Sequence, residues 1–90
     1  MGTAIIKVKL MPESPSTDLS KIKSAALSLM EKEGAKNISF EEKPIAFGLK
    51  SLHIKFDLDE KKGTDLVEEI LSKIPEVSSV MIEDYRRAFG

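Results

Sequence analysis

The sequence predicts an α+β domain: a four-stranded antiparallel sheet with two helices on one face. Three observations predict it. Four segments alternate apolar and polar residues with the period of a half-buried strand. Two others carry apolar residues at helical spacing, and the order along the chain is β-α-β-β-α-β. Because each strand has a single apolar face, both helices must cover the same side of the sheet.

Residues 4–10 (AIIKVKL) put Ile6, Val8 and Leu10 on one face and Lys7 and Lys9 on the other. The two prolines of residues 11–15 end this strand. A helix starts near residues 16–18, where Ser16, Thr17 or Asp18 can accept from free amides. Its stripe is Leu19, Ile22, Ala26, Leu29 and Met30, and Gly34 closes it as a C′ glycine. Residues 37–42 alternate again, with Ile38 and Phe40 inward, and residues 43–48 form a turn-prone connector. Residues 50–58 turn Leu52, Ile54, Phe56 and Leu58 inward, and Ser51, His53, Lys55 and Asp57 outward to solvent. Thr64 is placed to cap a second helix bearing Leu66, Val67, Ile70, Leu71 and Ile74, which Pro75 stops. Residues 77–85 make the last strand, with Val80 and Ile82 inward. Right-handed crossovers complete a ferredoxin-like arrangement, read as one domain over residues 1–90.

The totals exclude several kinds of chemistry. There is no cysteine and a single histidine, so thiolate metal sites, disulfides, cysteine nucleophiles and His-rich metal sites are out. A net charge of −1 runs against broad nucleic-acid binding, which rests on neutralising phosphates. No apolar run approaches the roughly 20 residues that span a bilayer, and the N-terminus lacks a signal-peptide layout. The expectation is a cytoplasmic protein with no membrane partner. An RNA-reading sheet stacks bases on aromatics of its open face, whereas here those positions hold Lys7, Lys9, Ser51, His53 and Lys55.

Residues 57–68 imitate a calcium loop, but Lys61 and Lys62 stand where an oxygen ligand and an obligate glycine belong. The segment reads as a solvated acidic turn. The metal chemistry left open is weak divalent-ion binding by Asp57, Asp59 and Glu60. His53 lacks an evident acid or nucleophile partner in the sequence and reads as a surface residue. The glycines are scattered, so no phosphate-cradling loop is present and no cofactor is expected.

Two segments exceed what folding needs. Residues 43–50 (KPIAFGLK) place Ile45 and Phe47 in a connector, where exposed apolar groups mark an interaction site. Phe47 has two readings at this point: an exposed contact, or a ring folded back to cap the core. Residues 82–90 (IEDYRRAFG) run from the last strand into a basic, aromatic tail.

These segments resemble the exchange domain of the elongation factor 1-beta family, from about Lys7 to the end of the chain. Val8-Lys9-Leu10-Met11-Pro12 resembles the family's first strand and its exit. Pro44-Ile45-Ala46-Phe47-Gly48-Leu49-Lys50 resembles its aromatic loop, and Asp59-Glu60-Lys61-Lys62-Gly63-Thr64-Asp65-Leu66 its acidic turn and helix start. Val77-Ser78-Ser79-Val80 resembles the entry to its last strand. The resemblance implies a ferredoxin-like exchange factor, not an enzyme, that promotes GDP release from the GTPase elongation factor 1-alpha. It implies a bare module of the archaeal type, without the extra N-terminal domains of eukaryotic members.

The eukaryotic pattern has a penultimate lysine that reaches toward the GTPase's magnesium site. Aligned without gaps from Val77, that position holds Arg87, and Ala88-Phe89-Gly90 follow. The resemblance thus makes Arg87, assisted by Arg86, the exchange wedge, with Tyr85 or Phe89 as the competing candidates. It makes Phe47 a partner anchor framed by Lys43 and Lys50. The other functional class left open is a small non-catalytic RNA- or ligand-binding module.

Overall fold

The computed structural model describes residues 2–88. Its elements are β1 (Thr3–Pro12), α1 (Leu19–Lys32), β2 (Lys36–Pro44), a short 3-10 turn (Ala46–Gly48), β3 (Lys50–Asp59), α2 (Thr64–Ser72) and β4 (Val77–Ala88). The strands form one antiparallel sheet in the order β2-β3-β1-β4. β1 and β3 are therefore central, and the α+β, ferredoxin-like arrangement is the one the apolar pattern predicts.

Alternation on the central strands builds the core. Ala4, Ile6, Val8 and Leu10 of β1 and Leu52, Ile54, Phe56 and Leu58 of β3 are fully buried. Ile22, Ala26 and Met30 of α1 and Val67 and Leu71 of α2 pack on them from one side. Each of the larger of these side chains, the alanines apart, contributes roughly 1.5–3 kcal/mol of burial. The edge-strand residues Ile38, Phe40, Val80 and Ile82 are only partly buried against this cluster.

The helix ends follow local chemistry. The Asp18 carboxylate accepts from the Ser20 amide at 3.0 Å and from its hydroxyl at 2.6 Å, fixing the start of α1. Gly34 (φ 87°) takes the left-handed residue that closes that helix. At α2 the expectation is corrected. Gly63, at φ 76°, is the N-cap and Thr64 is already helical, with no side-chain cap bond. The acidic turn must reverse the chain before the helix begins, and a positive φ is open to glycine at little cost.

Two further expectations are corrected on the sheet. His53 does lie on the face away from the helices, as does the exposed Lys55, so the phase of β3 is as predicted. Yet His53 is 5% exposed, because polar neighbours on that open face enclose it. Secondly, β4 does not end at residue 85. It runs to Ala88, with Tyr85, Arg86, Arg87 and Ala88 opposite Ile6, Ile5, Ala4 and Thr3.

Candidate functional site

The residues singled out by sequence fall into two groups at opposite ends of the sheet. β2 and β3 meet the connecting loop at the Pro44–Lys50 end, whereas β4 finishes at the Thr3–Asp59 end. The strand rise puts about 25–30 Å between the two groups along the sheet. The molecule's longest extent is 42 Å.

At the loop end, Pro44 closes β2 and the Ile45 amide donates to the Leu49 carbonyl at 2.8 Å. This tight closure forces the residues between them outward. Phe47 sits at φ 61°, ψ 32° and is 93% exposed, so the core-capping reading is excluded. A non-glycine residue in the left-handed region costs roughly 1–2 kcal/mol. Among the described residues the ring gains almost no burial in return. Ile45 is 37% exposed beside it. Lys43 pairs with Glu41 at 3.4 Å, and Lys50 lines a cleft of about 340 Å³ with Gly48, Pro15, Asp18 and Glu42. The Asp18 carboxyl on that cleft is held below its usual value by the Ser20 hydroxyl and amide, with smaller help from Lys21.

At the other end, Tyr85, Arg86 and Arg87 lie on a paired strand rather than a frayed tail. Arg86 Nε donates to Asp84 Oδ2 at 2.9 Å. Arg87 forms a two-pronged ion pair with Glu60, Nε to Oε2 at 2.9 Å and Nη2 to Oε1 at 3.3 Å. The Arg87 side chain is still 73% exposed, so the pair is solvated and exchangeable. Tyr85 is 40% exposed. Phe89 lies outside the described residues.

The acidic turn disperses its carboxylates. Asp57 accepts from Asn37 Nδ2 at 2.7 Å, Asp59 from the Lys61 amide at 3.0 Å, and Glu60 from Arg87. Among the described residues no group of three metal-ligating side chains is set to hold an ion.

Between the two ends lies a polar chain that the sequence reading missed. His53 Nδ1 donates to Glu83 Oε1 at 2.5 Å, and His53 Nε2 lies 2.8 Å from Ser51 Oγ. The Ser51 hydroxyl also lies 3.4 Å from the Lys43 carbonyl. The order Ser–His–Glu is that of a hydrolytic relay, but Ser51 is 1% exposed and cannot meet a substrate. The chain is structural. A signal for it did exist: the apolar alternation Val80, Ile82 breaks at Glu83-Asp84 and resumes out of phase at Tyr85.

Comparison with known proteins places the whole chain. The model of the EF-1 guanine nucleotide exchange domain matches residues 5–88. An elongation factor 1-beta of Methanobrevibacter smithii is 42% identical over 88 residues, covering 97% of this chain and 98% of that one. That of Methanocella arvoryzae is 40% identical over 90 residues, 99% of this chain and 100% of its own. That of Methanocaldococcus jannaschii is 33% identical, covering 89% and 91%. Among solved structures, LarC2, the C-terminal domain of a cyclometallase involved in the synthesis of the NPN cofactor of lactate racemase, superposes with a TM-score of 0.67. That match covers 99% of this chain and 58% of LarC2 at 9% identity, and so bears on the fold alone.

Proposed function

The chain belongs to the family of EF-1 guanine nucleotide exchange domains, and on that premise we propose that it drives GDP from elongation factor 1-alpha with Arg87 as the displacing cation and Phe47 as a distant anchor. The family match over residues 5–88 carries the exchange activity, and the exposure of Phe47 and of the Arg87 side chain supports the roles given to them. It also disfavours the alternative of a non-catalytic RNA- or ligand-binding module.

A translation GTPase holds GDP through phosphate contacts and a bridging magnesium ion. An exchange factor makes and breaks no covalent bond. It binds the nucleotide-free GTPase more tightly than the GDP-bound form, and by linkage it weakens nucleotide by the same factor. A guanidinium brought to the magnesium site disfavours the metal by like-charge repulsion. Arg87 is suited to this because it is exposed, carries a guanidinium charge, and pairs among the described residues with Glu60 in a solvated contact that a GTPase group can replace. Arg86 adds charge on the opposite face of the same strand end.

Phe47, some 25–30 Å away by strand rise, supplies the hold that lets Arg87 act. A partner touching both must be a large or two-lobed body. Lys43 and Lys50 frame the ring and favour an acidic contact. The protein works in the cytoplasm, where translation takes place; among its described residues no helix is long and apolar enough to cross a membrane.

The test is release of labelled GDP from elongation factor 1-alpha with the chain added in catalytic amounts. Acceleration lost in Arg87→Ala supports the reading; equal acceleration by wild type and Arg87→Ala removes Arg87 from it.

A further inference from the structure

β1 and β4 pair with one irregularity in the middle: Val8 faces Ile82, yet Lys7 faces Asp84. Glu83 is the extra residue of a β-bulge, and a bulge shifts the phase of everything beyond it. Beyond Glu83, Tyr85 stands opposite Ile6 and Arg87 opposite Ala4, on the helix-side face. Without the bulge the same ladder would continue regularly from Val8 and Ile82. Asp84 would then oppose Ile6, and Arg86 would oppose Ala4 in place of Arg87. The bulge therefore decides which of two adjacent arginines stands beside Glu60.

The bulge residue is tied down. Glu83 is the acceptor for His53 Nδ1, and the imidazole reaches it from β3 across the intervening β1, a span of about 10 Å between strand backbones. The ring is itself fixed at its other nitrogen by Ser51, which is bonded in turn to the Lys43 carbonyl on β2. His53 and Ser51 are 5% and 1% exposed, so neither ring nor hydroxyl can relax into solvent. Glu83's own side chain is 29% exposed. A buried polar chain of this kind holds its geometry because breaking one member leaves the others unsatisfied.

We propose that the Ser51–His53–Glu83 chain pins the β4 bulge and thereby positions Arg87, rather than Arg86, as the exchanging group; the second half of this statement rests on the function proposed above. His53 and Glu83 are positioning residues that never touch the GTPase. The same chain anchors at the Lys43 end, so the base of the Phe47 loop and the arginine strand are set by one hydrogen-bonded line across the open face.

The experiment combines the strand register, read from cross-strand NOEs between β1 and β4, with GDP release at saturating exchange factor. Glu83→Ala should lose the Lys7–Asp84 and Ala4–Arg87 pairings. It should also lower the maximal release rate by about tenfold or more, with the half-saturating concentration little changed. Glu83→Gln keeps an acceptor for Nδ1–H and should restore both. His53→Val removes the pin from the β3 side and should reproduce Glu83→Ala, which covers the case that Glu83→Ala does not fold. An unaltered register in Glu83→Ala and His53→Val would overturn the inference, leaving the apolar match of Tyr85 with Ile6 to set the phase alone. A lost register with an undiminished rate would refute Arg87 as the exchanging group and leave the pin standing.

Discussion

Phe47 holds a left-handed conformation that glycine adopts freely, and among the described residues its ring is almost wholly exposed. Two opposite effects follow from one position. Phe47→Gly should raise the thermal midpoint, since relieving about 1 kcal/mol of strain shifts a domain of this size by roughly 4–8 °C. The same variant should weaken binding to the GTPase. Phe47→Ala keeps the backbone strain and should cost upward of ~2 kcal/mol in binding, or about thirtyfold in affinity, with the fold intact. A midpoint that falls in Phe47→Gly would show that the ring does pack. The sequence left this residue undecided because an apolar side chain in a loop is compatible with either state; the tight Ile45–Leu49 closure that ejects it is a backbone property. Asp18 is a simpler case. Its carboxyl is depressed by the Ser20 bonds it accepts in the folded helix, so its cap contribution is complete above its ordinary value of 3.8. That contribution is lost as pH falls through the lowered folded value. Asp18→Ala should lower the midpoint at neutral pH, and the gap to wild type should close in acid. A gap independent of pH would remove the charge from the cap.

β4 is the element that sequence reading described least well. Its first half alternates as expected, but the bulge at Glu83 reverses the phase, so a regular alternation carried through residue 85 puts Asp84 inward and ends the strand early. Chain polarity at residues 86–88 then looks like a tail, although those backbones pair with Thr3, Ala4 and Ile5. By contrast the inward faces of β1 and β3 were legible, because each buries an unbroken apolar face under both helices, although β1 runs two residues further than the apolar alternation, to Pro12. His53 was placed on the correct face and yet not in its enclosed setting, because its acid arrives from a strand 30 residues away. The extended β4 changes what truncation should do. Removing residues 86–90 takes the ladder partners of Ile5, Ala4 and Thr3, and each lost backbone bond is worth about 0.5–1.5 kcal/mol net. The truncated chain should melt several degrees lower as well as lose exchange, by calorimetry and GDP release on the same sample. An unchanged midpoint would mean that this end of β4 is not paired in solution.

The whole molecule sets an exposed aromatic loop and an arginine-bearing strand end at opposite ends of one sheet, with the core beneath and the open face between. The general fold was readable because a ninety-residue sheet-and-helix domain has few ways to bury two striped helices and four one-faced strands. The separation of the two sites was not, since it depends on strand order and direction rather than on any residue's identity. Because the sites lie at opposite ends of the sheet, the losses of exchange efficiency (maximal release rate over half-saturating concentration) in Phe47→Ala and Arg87→Ala should add within about 0.5 kcal/mol in a double variant. Strong non-additivity would place both on one contact. The central claim is that Arg87 opposes the GTPase's magnesium, and one titration addresses it: GDP release from elongation factor 1-alpha against magnesium concentration, for wild type and Arg87→Ala. Wild-type release should slow as magnesium is raised, and Arg87→Ala should be slow throughout with that dependence flattened. Full activity of Arg87→Ala at every magnesium concentration would contradict the account.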